Sequence, residues 1–215
     1  INVTVPYKKD VIPYCAWLSP EARRIGSVNT IVNDGGLLRG YNTDYFGFVY
    51  MLRKAGIDVK GKKALVLGSG GASLTVQAAL HDLGAKSVTV ISRGGEDNYG
   101  NLERHADARL IVNTTPVGMY PKVEAAPLSL EIFPDCEAVA DIIYNPSRTK
   151  LLLDAEARGI PCANGLPMLV AQAKAAAELF LGRDIPDARI DEITSIIEKR
   201  TKNIILIGMP GCGKT

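Results

Sequence analysis

At 215 residues, with a formal net charge of +2 and basic and acidic residues interspersed, the chain has no broad cationic face; neither nucleic acid nor an anionic membrane is expected as a partner. A hydrophobic content of 47% suffices for a buried core, which excludes a disordered or fibrous chain, and no apolar run is long enough to span a membrane. The four cysteines, Cys15, Cys136, Cys162 and Cys212, match neither a zinc spacing nor a dense disulfide framework, so reduced thiols in a soluble cytoplasmic protein with no metal site are expected.

Ile1 to Val5 reads as a short strand stopped by Pro6, and Tyr7 to Leu18 as a helix interrupted at Pro13. Val28 to Asn33 is β-branched, Asn33-Asp34-Gly35-Gly36 supplies turn residues, and Leu37 to Tyr41 returns as the partner strand of a hairpin. Asp44 is positioned to cap a helix that runs through Phe48, Met51 and Leu52 and stops near Ala55-Gly56.

From Lys62 the pattern alternates apolar strands with helices, the signature of a parallel sheet with crossover helices. Strands are expected at Ala64 to Leu67, Val88 to Ile91, Leu110 to Asn113, Val139 to Ile143 and Ile160 to Cys162, with helices at Ala72 to Leu83 and Leu151 to Ala157. Arg93 to Asp107 is too short and glycine-containing for a full crossover, so the sheet is expected to be reduced there. An alanine-rich helix follows, with Pro167 in its first turn, and then an amphipathic one over Asp191 to Lys199. The fold class is therefore α/β: a Rossmann-like parallel-sheet domain over 56–165, and a smaller α/β domain over 1–55 completed by helices in 166–200, with a cleft between them.

Gly68-Ser69-Gly70-Gly71-Ala72-Ser73 lies between the first of these strands and its helix, and Val88 to Ile91 closes a βαβ unit of about 30 residues, the context of a dinucleotide-binding turn. Gly68 permits the turn, Gly70 lets backbone approach a pyrophosphate, and Gly71 or Ala72 allows close helix contact, while the helix N-terminus supplies unpaired N–H groups. The second strand ends in Ser92-Arg93 where an NAD site would place an acid. A cation there suits the 2′-phosphate of NADP through a charge-assisted fork.

Seven segments in order then resemble the motifs of shikimate dehydrogenases, over about residues 1 to 182: Asn2 to Lys8, Ser27 to Thr30, Gly40 to Asp44, the glycine turn, Asn113 to Met119, Asp141 to Pro146 and Gly165 to Ala173. The resemblance implies reversible reduction of 3-dehydroshikimate to shikimate with NADPH. Lys8 would be the catalytic acid/base and Asp44 its partner. Thr4, Asn29, Tyr144 and Gln172 would line the substrate pocket, and Asn113, Thr114, Thr115, Pro116, Gly165 and Met168 would flank the nicotinamide. Taken singly these residues read otherwise: Lys8 as a solvated lysine, Asp44 as a helix cap, Thr4 as a β-former, Asn29 as a turn residue, Tyr144 as core and Gln172 as an exposed helix position. Where the family commonly has Asn-Arg-Thr, this chain has Ser92-Arg93-Gly94, so the NADP preference rests on Arg93. A quinate/shikimate dehydrogenase using NAD and a non-catalytic dinucleotide sensor are the competing readings.

Asn203 to Ile207 followed by Gly208-Met209-Pro210-Gly211-Cys212-Gly213-Lys214-Thr215 matches the phosphate-loop pattern. Gly208 and Gly213 would shape the cradle, Lys214 would reach the terminal phosphates of ATP and Thr215 would ligate magnesium. Together with the lack of an initiating Met, this leads us to expect a fragment of a bifunctional protein in which a shikimate kinase-like domain begins at 203.

Overall fold

The computed structural model describes residues 1–4 and 6–201, so the phosphate-loop residues Gly208, Gly213, Lys214 and Thr215 lie outside the described part. The alternating apolar runs form β4 (Lys63–Leu67), β5 (Ser87–Ile91), β6 (Leu110–Asn113), β7 (Ala138–Asp141) and β8 (Cys162–Ala163), all parallel, in the spatial order β5-β4-β6-β7-β8. Ala64, Leu65, Val66 and Leu67 are each 0% exposed, as expected for a central strand covered on both faces. α3 (Gly71–Asp82) crosses from β4 to β5 and α4 (Lys150–Ala157) from β7 to β8. Between β5 and β6 there is only a short 3-10 turn at Leu102–His105, so the crossover is reduced as its length and glycines imply.

One face of this sheet packs its Val66, Leu110 and Val112 against Val76 and Leu80 of α3 and against Phe48, Met51 and Leu52 of α2 (Asp44–Lys54). The other face meets Leu151, Leu152 and Ala155 of α4 together with Phe133. A separate three-stranded sheet holds β1 (Trp17–Leu18), β3 (Leu37–Tyr41) and β2 (Thr30–Asp34) in that order, with β2 and β3 forming the expected hairpin. α5 (Leu166–Leu181) lies against α2, and a Cβ on Gly47 would come within 2.6 Å of the Met168 carbonyl; the absence of a side chain is what lets these helices approach. α6 (Ala188–Thr201) packs Ile190 against Leu166 and Val170 of α5. No helix among the described residues is long and apolar enough to cross a membrane.

The amino-terminal stretch departs from expectation in four places. The segment expected as a strand from Ile1 makes one bridge, Asn2 to Thr30, flanked by hydrogen bonds from Val3 N–H to the Asn29 carbonyl and from Ile31 N–H to the Ile1 carbonyl. The expected helix from Tyr7 to Leu18 is instead a set of turns, the 3-10 turn Ile12–Tyr14 and then β1. Pro13 accounts for this in part, because proline lacks the N–H donor that a continuing helix would need at that position. A helix that was not anticipated, α1 (Pro20–Ile25), follows; Ser19 Oγ accepts the Ala22 N–H at 3.1 Å, Pro20 opens it, and Gly26 ends it at φ 68°. Asp44 does not cap α2. It is the first helical residue, and the capping oxygen is Asn42 Oδ1, which accepts the Tyr45 N–H at 3.2 Å.

Candidate functional site

The glycine turn sits at the carboxyl end of β4, where open parallel sheets present their ligands. Gly68 has φ 103°, the left-handed region that favours glycine, and its N–H donates to the Ile91 carbonyl at 2.8 Å. Ser69 and Gly70 are exposed, and a Cβ on Gly70 would meet nothing within 4 Å, so the backbone there is open to a bulky anionic group. The first amides of α3 point out of the helix with no intrahelical acceptor. Ala72 is half-buried and Ser73, 0% exposed, accepts the Gln77 side-chain amide at 3.0 Å. These residues fit a pyrophosphate. Arg93 is exposed beyond the end of β5 and makes no ion pair among the described residues; Asp97 of the same loop pairs with His105 at 2.7 Å.

Lys8 Nζ donates to Asp44 Oδ2 at 2.6 Å, with the two side chains only 13% and 10% exposed. Asp44 occupies the first turn of α2, where the helix dipole favours a carboxylate. The pair abuts the glycine turn: a Cβ on Gly71 would lie 3.5 Å from both Cβ and Cδ of Lys8. Two segments far apart in sequence thus bring an ammonium group to the mouth of a nucleotide cradle.

Beside this pair runs a short polar chain. Asn29, 4% exposed, donates from Nδ2 to Thr43 Oγ1 at 3.0 Å and accepts the Thr43 N–H at Oδ1 at 2.8 Å. Thr43 Oγ1 also lies 3.4 Å from Gln172 Oε1, and Gln172 Nε2 donates to the Leu169 carbonyl at 3.0 Å. Thr43 is therefore the link between Asn29 and Gln172, and it escaped the sequence reading although it adjoins Asp44. Thr4 and Tyr144 are exposed; the Thr4 carbonyl accepts the Tyr7 N–H at 3.0 Å, and neither side chain joins a hydrogen bond among the described residues. Tyr144 is 51% exposed, which sets aside the alternative reading of it as a core residue.

Asn113 turns inward. It is 0% exposed, donates to Asp141 Oδ1 at 3.1 Å, and accepts from the N–H and Oγ1 of Thr115 at 3.0 and 2.7 Å, so it shapes its loop from within. Thr114 Oγ1 donates to the Leu67 carbonyl at 2.6 Å and Pro116 is exposed. Asp141 is fully buried, and burial pushes its carboxyl up while hydrogen bonds from Ile143, Thr149 and Asn113 pull it down. Met168 is 7% exposed and packs in the core, and Gly165 lies against the Ile142 backbone. A groove of about 590 Å³ lies between β3, the start of α2 and the end of α5, lined by residues including Thr43, Phe46, Leu179 and Arg183 but not by Lys8 or the glycine turn.

Behind the Lys8–Asp44 pair, Asn42 Nδ2 donates to the Ser27 carbonyl at 2.9 Å and to Thr75 Oγ1 of α3 at 3.1 Å. Ser27 is 0% exposed, and its hydroxyl, 3.4 Å from where a Gly71 Cβ would stand, has no hydrogen-bond partner among the described residues. An unsatisfied buried hydroxyl costs about 1–3 kcal/mol. Ser27→Ala is accordingly expected to raise stability by about 1 kcal/mol, read as an upward shift of about 2–4 °C in the melting midpoint; a fall would contradict it.

The description "shikimate dehydrogenase substrate binding domain" belongs to the family model that matches residues 1–31. A shikimate dehydrogenase (NADP(+)) of Moorella thermoacetica is 40% identical over 214 residues, spanning 89% of this chain and 72% of its own length. A chorismate mutase/shikimate 5-dehydrogenase fusion protein from Clostridium acetobutylicum superposes with a TM-score of 0.89 at 37% identity, over 94% of this chain and 78% of that one. Shikimate 5-dehydrogenase of Thermus thermophilus, solved with NADP(H) and shikimate, superposes with a TM-score of 0.80 at 38% identity, over 91% of this chain and 77% of that one.

Proposed function

The chain belongs to the shikimate dehydrogenase family, and from that membership we propose that it catalyses the reversible, NADP-dependent reduction of 3-dehydroshikimate to shikimate. The observation that carries the reading is the meeting of the Lys8–Asp44 pair, 2.6 Å apart, with the glycine turn at Gly71. When bound, the nicotinamide supplies or accepts the hydride. The chain's residues do the rest. In the reducing direction the hydride adds to the ring carbonyl carbon, the C=O π bond breaks, and negative charge gathers on oxygen. Lys8, as the ammonium, stabilises that charge and gives up a proton to form the hydroxyl; in the oxidising direction neutral Lys8 takes the proton back. Asp44 holds Nζ in place through the 2.6 Å contact.

Asn29, Thr43 and Gln172 offer uncharged donors and acceptors, which suit a polyhydroxylated ring, and Thr4 and Tyr144, exposed on the same reading, complete its pocket. The substrate lobe comprises 1–55 with 166–200, and the cofactor lobe 56–165; the two separate sheets support this division. The open backbone at Gly70 supports pyrophosphate binding, and exposed Arg93 supports recognition of the 2′-phosphate. Arg93→Ala should raise the Kd for NADP about 10- to 100-fold while changing that for NAD less than about threefold. Equal losses for both cofactors would refute the role given to Arg93. The activity itself is tested by following NADP reduction with shikimate and with quinate. Cofactor binding without turnover on either substrate would favour a sensor. The phosphate-loop pattern at 208–215 supports a separate proposal, an ATP- and magnesium-binding kinase-like unit in a bifunctional protein, tested by ATP binding to a chain extended beyond Thr215.

A further inference from the structure

The loop that replaces a crossover helix after β5 is bonded largely to its own side chains. Asn98 Nδ2 donates to the carbonyls of Gly95 and Glu96 at 3.2 and 3.3 Å, while its Oδ1 accepts the Gly100 N–H at 2.9 Å. Asn101 Oδ1 accepts the Asn98 N–H and Nδ2 donates to the Glu96 carbonyl, both at 2.9 Å. The Ser92 N–H donates to the Asp97 carbonyl at 3.1 Å, which closes residues 92–97 into a ring with Arg93 inside it. Tyr99 and Leu102 anchor the far side of the loop in the core beneath the sheet. Burial pushes the Tyr99 phenol up, and the Arg93 charge pulls against that push.

The acids of the loop matter as much as its cation. Asp97 lies in the same loop and its carboxylate pairs with His105 Nε2 at 2.7 Å, while Arg93 makes no ion pair among the described residues and stays available to an incoming anion. A guanidinium recognises phosphate best when the backbone that carries it is already ordered, because otherwise binding must also order the loop. The ordinary way to brace this position, a helix packed on the sheet, is missing here. Two asparagine amides stand in for it.

We propose that Asn98 and Asn101 are positioning residues for cofactor selectivity: by bracing the 92–97 ring before binding, they present Arg93 to the 2′-phosphate of an adenine nucleotide. The proposal rests on the NADP reading above and deepens it, since it assigns selectivity to residues that touch neither phosphate nor base.

The test is titration calorimetry of the full chain with 2′,5′-ADP and with 5′-AMP, which differ only in the 2′-phosphate. Asn101→Ala should raise the Kd for 2′,5′-ADP about 5- to 10-fold and that for 5′-AMP less than about twofold, and Asn98→Ala should behave alike. In an Arg93→Ala background, adding Asn101→Ala should cost less than about twofold for either ligand, because the residue being positioned is gone. A uniform loss for both nucleotides, or an undiminished loss in the Arg93→Ala background, overturns the proposal and assigns the amides to loop stability alone. Retention of full discrimination by both asparagine variants, with an unchanged melting midpoint, overturns it too. If the unsubstituted chain binds the two nucleotides equally, the NADP reading itself fails, which is a distinct result.

Discussion

Lys8→Ala is expected to lower kcat for shikimate oxidation by about 10³-fold while leaving the KM for shikimate within about threefold. The asymmetry follows from when the lysine acts. In oxidation neutral Lys8 meets a hydroxyl in the ground state and takes its proton only as the alkoxide develops in the transition state, so its removal is felt chiefly in the barrier. The substitution also leaves Asp44 without its counter-ion in a site where both side chains are largely buried. Lys8→Ala should therefore unfold at a lower temperature than the double variant Lys8→Ala/Asp44→Asn, which removes both charges rather than stranding one. Rates are best compared well below either melting midpoint, with circular dichroism as the check on folding. Full activity in Lys8→Ala would refute the acid/base assignment, whereas parallel losses in kcat and in shikimate binding would recast Lys8 as a binding group.

Gly165→Ala should produce the largest stability loss among single-methyl additions. A Cβ at this position would stand 2.0 Å from the Ile142 carbonyl oxygen and 2.4 Å from its carbon. Both are backbone atoms, and Ile142 is held by its own N–H, which donates to the Asn113 carbonyl at 3.1 Å. No flexible side chain can yield, so the start of α5 must move. Overpacking of this kind costs about 3 kcal/mol, a drop of about 6–12 °C in the melting midpoint for a chain of this size. The functional effect should be concentrated on substrate. α5 carries Gln172, whose Oε1 lies 3.4 Å from Thr43 Oγ1, so a displaced α5 raises the KM for shikimate more than that for NADP. An unchanged melting midpoint would show that the contact relaxes without cost, contrary to this argument.

Periodicity served well where local pattern and tertiary demand agree. The strands of the parallel sheet are apolar on both faces because both faces are covered, and they were legible to within a few residues. The glycine turn was legible for the same reason: Gly68 needs its positive φ whatever packs around it. The stretch from Tyr7 to Leu18 failed in part because proline placement outweighed helical spacing. α1 was missed although Ser19, Pro20 and Gly26 spell out its caps; a helix of six residues has too few turns to establish a period.

By itself, then, the amino-acid sequence determined the α/β class, the glycine turn between strand and helix, and the hairpin. These depend on residue type and local spacing, and on motifs whose order survives without coordinates. Only the tertiary structure decided that Asp44 turns to Lys8 while Asn42 caps the helix, that Asn113 points into the core, and that Thr43 joins Asn29 to Gln172. Each is a choice among competing hydrogen-bond partners. Burial settles that choice, because a polar group removed from water must find its partner in whatever the fold brings alongside, and the partner is often distant in sequence.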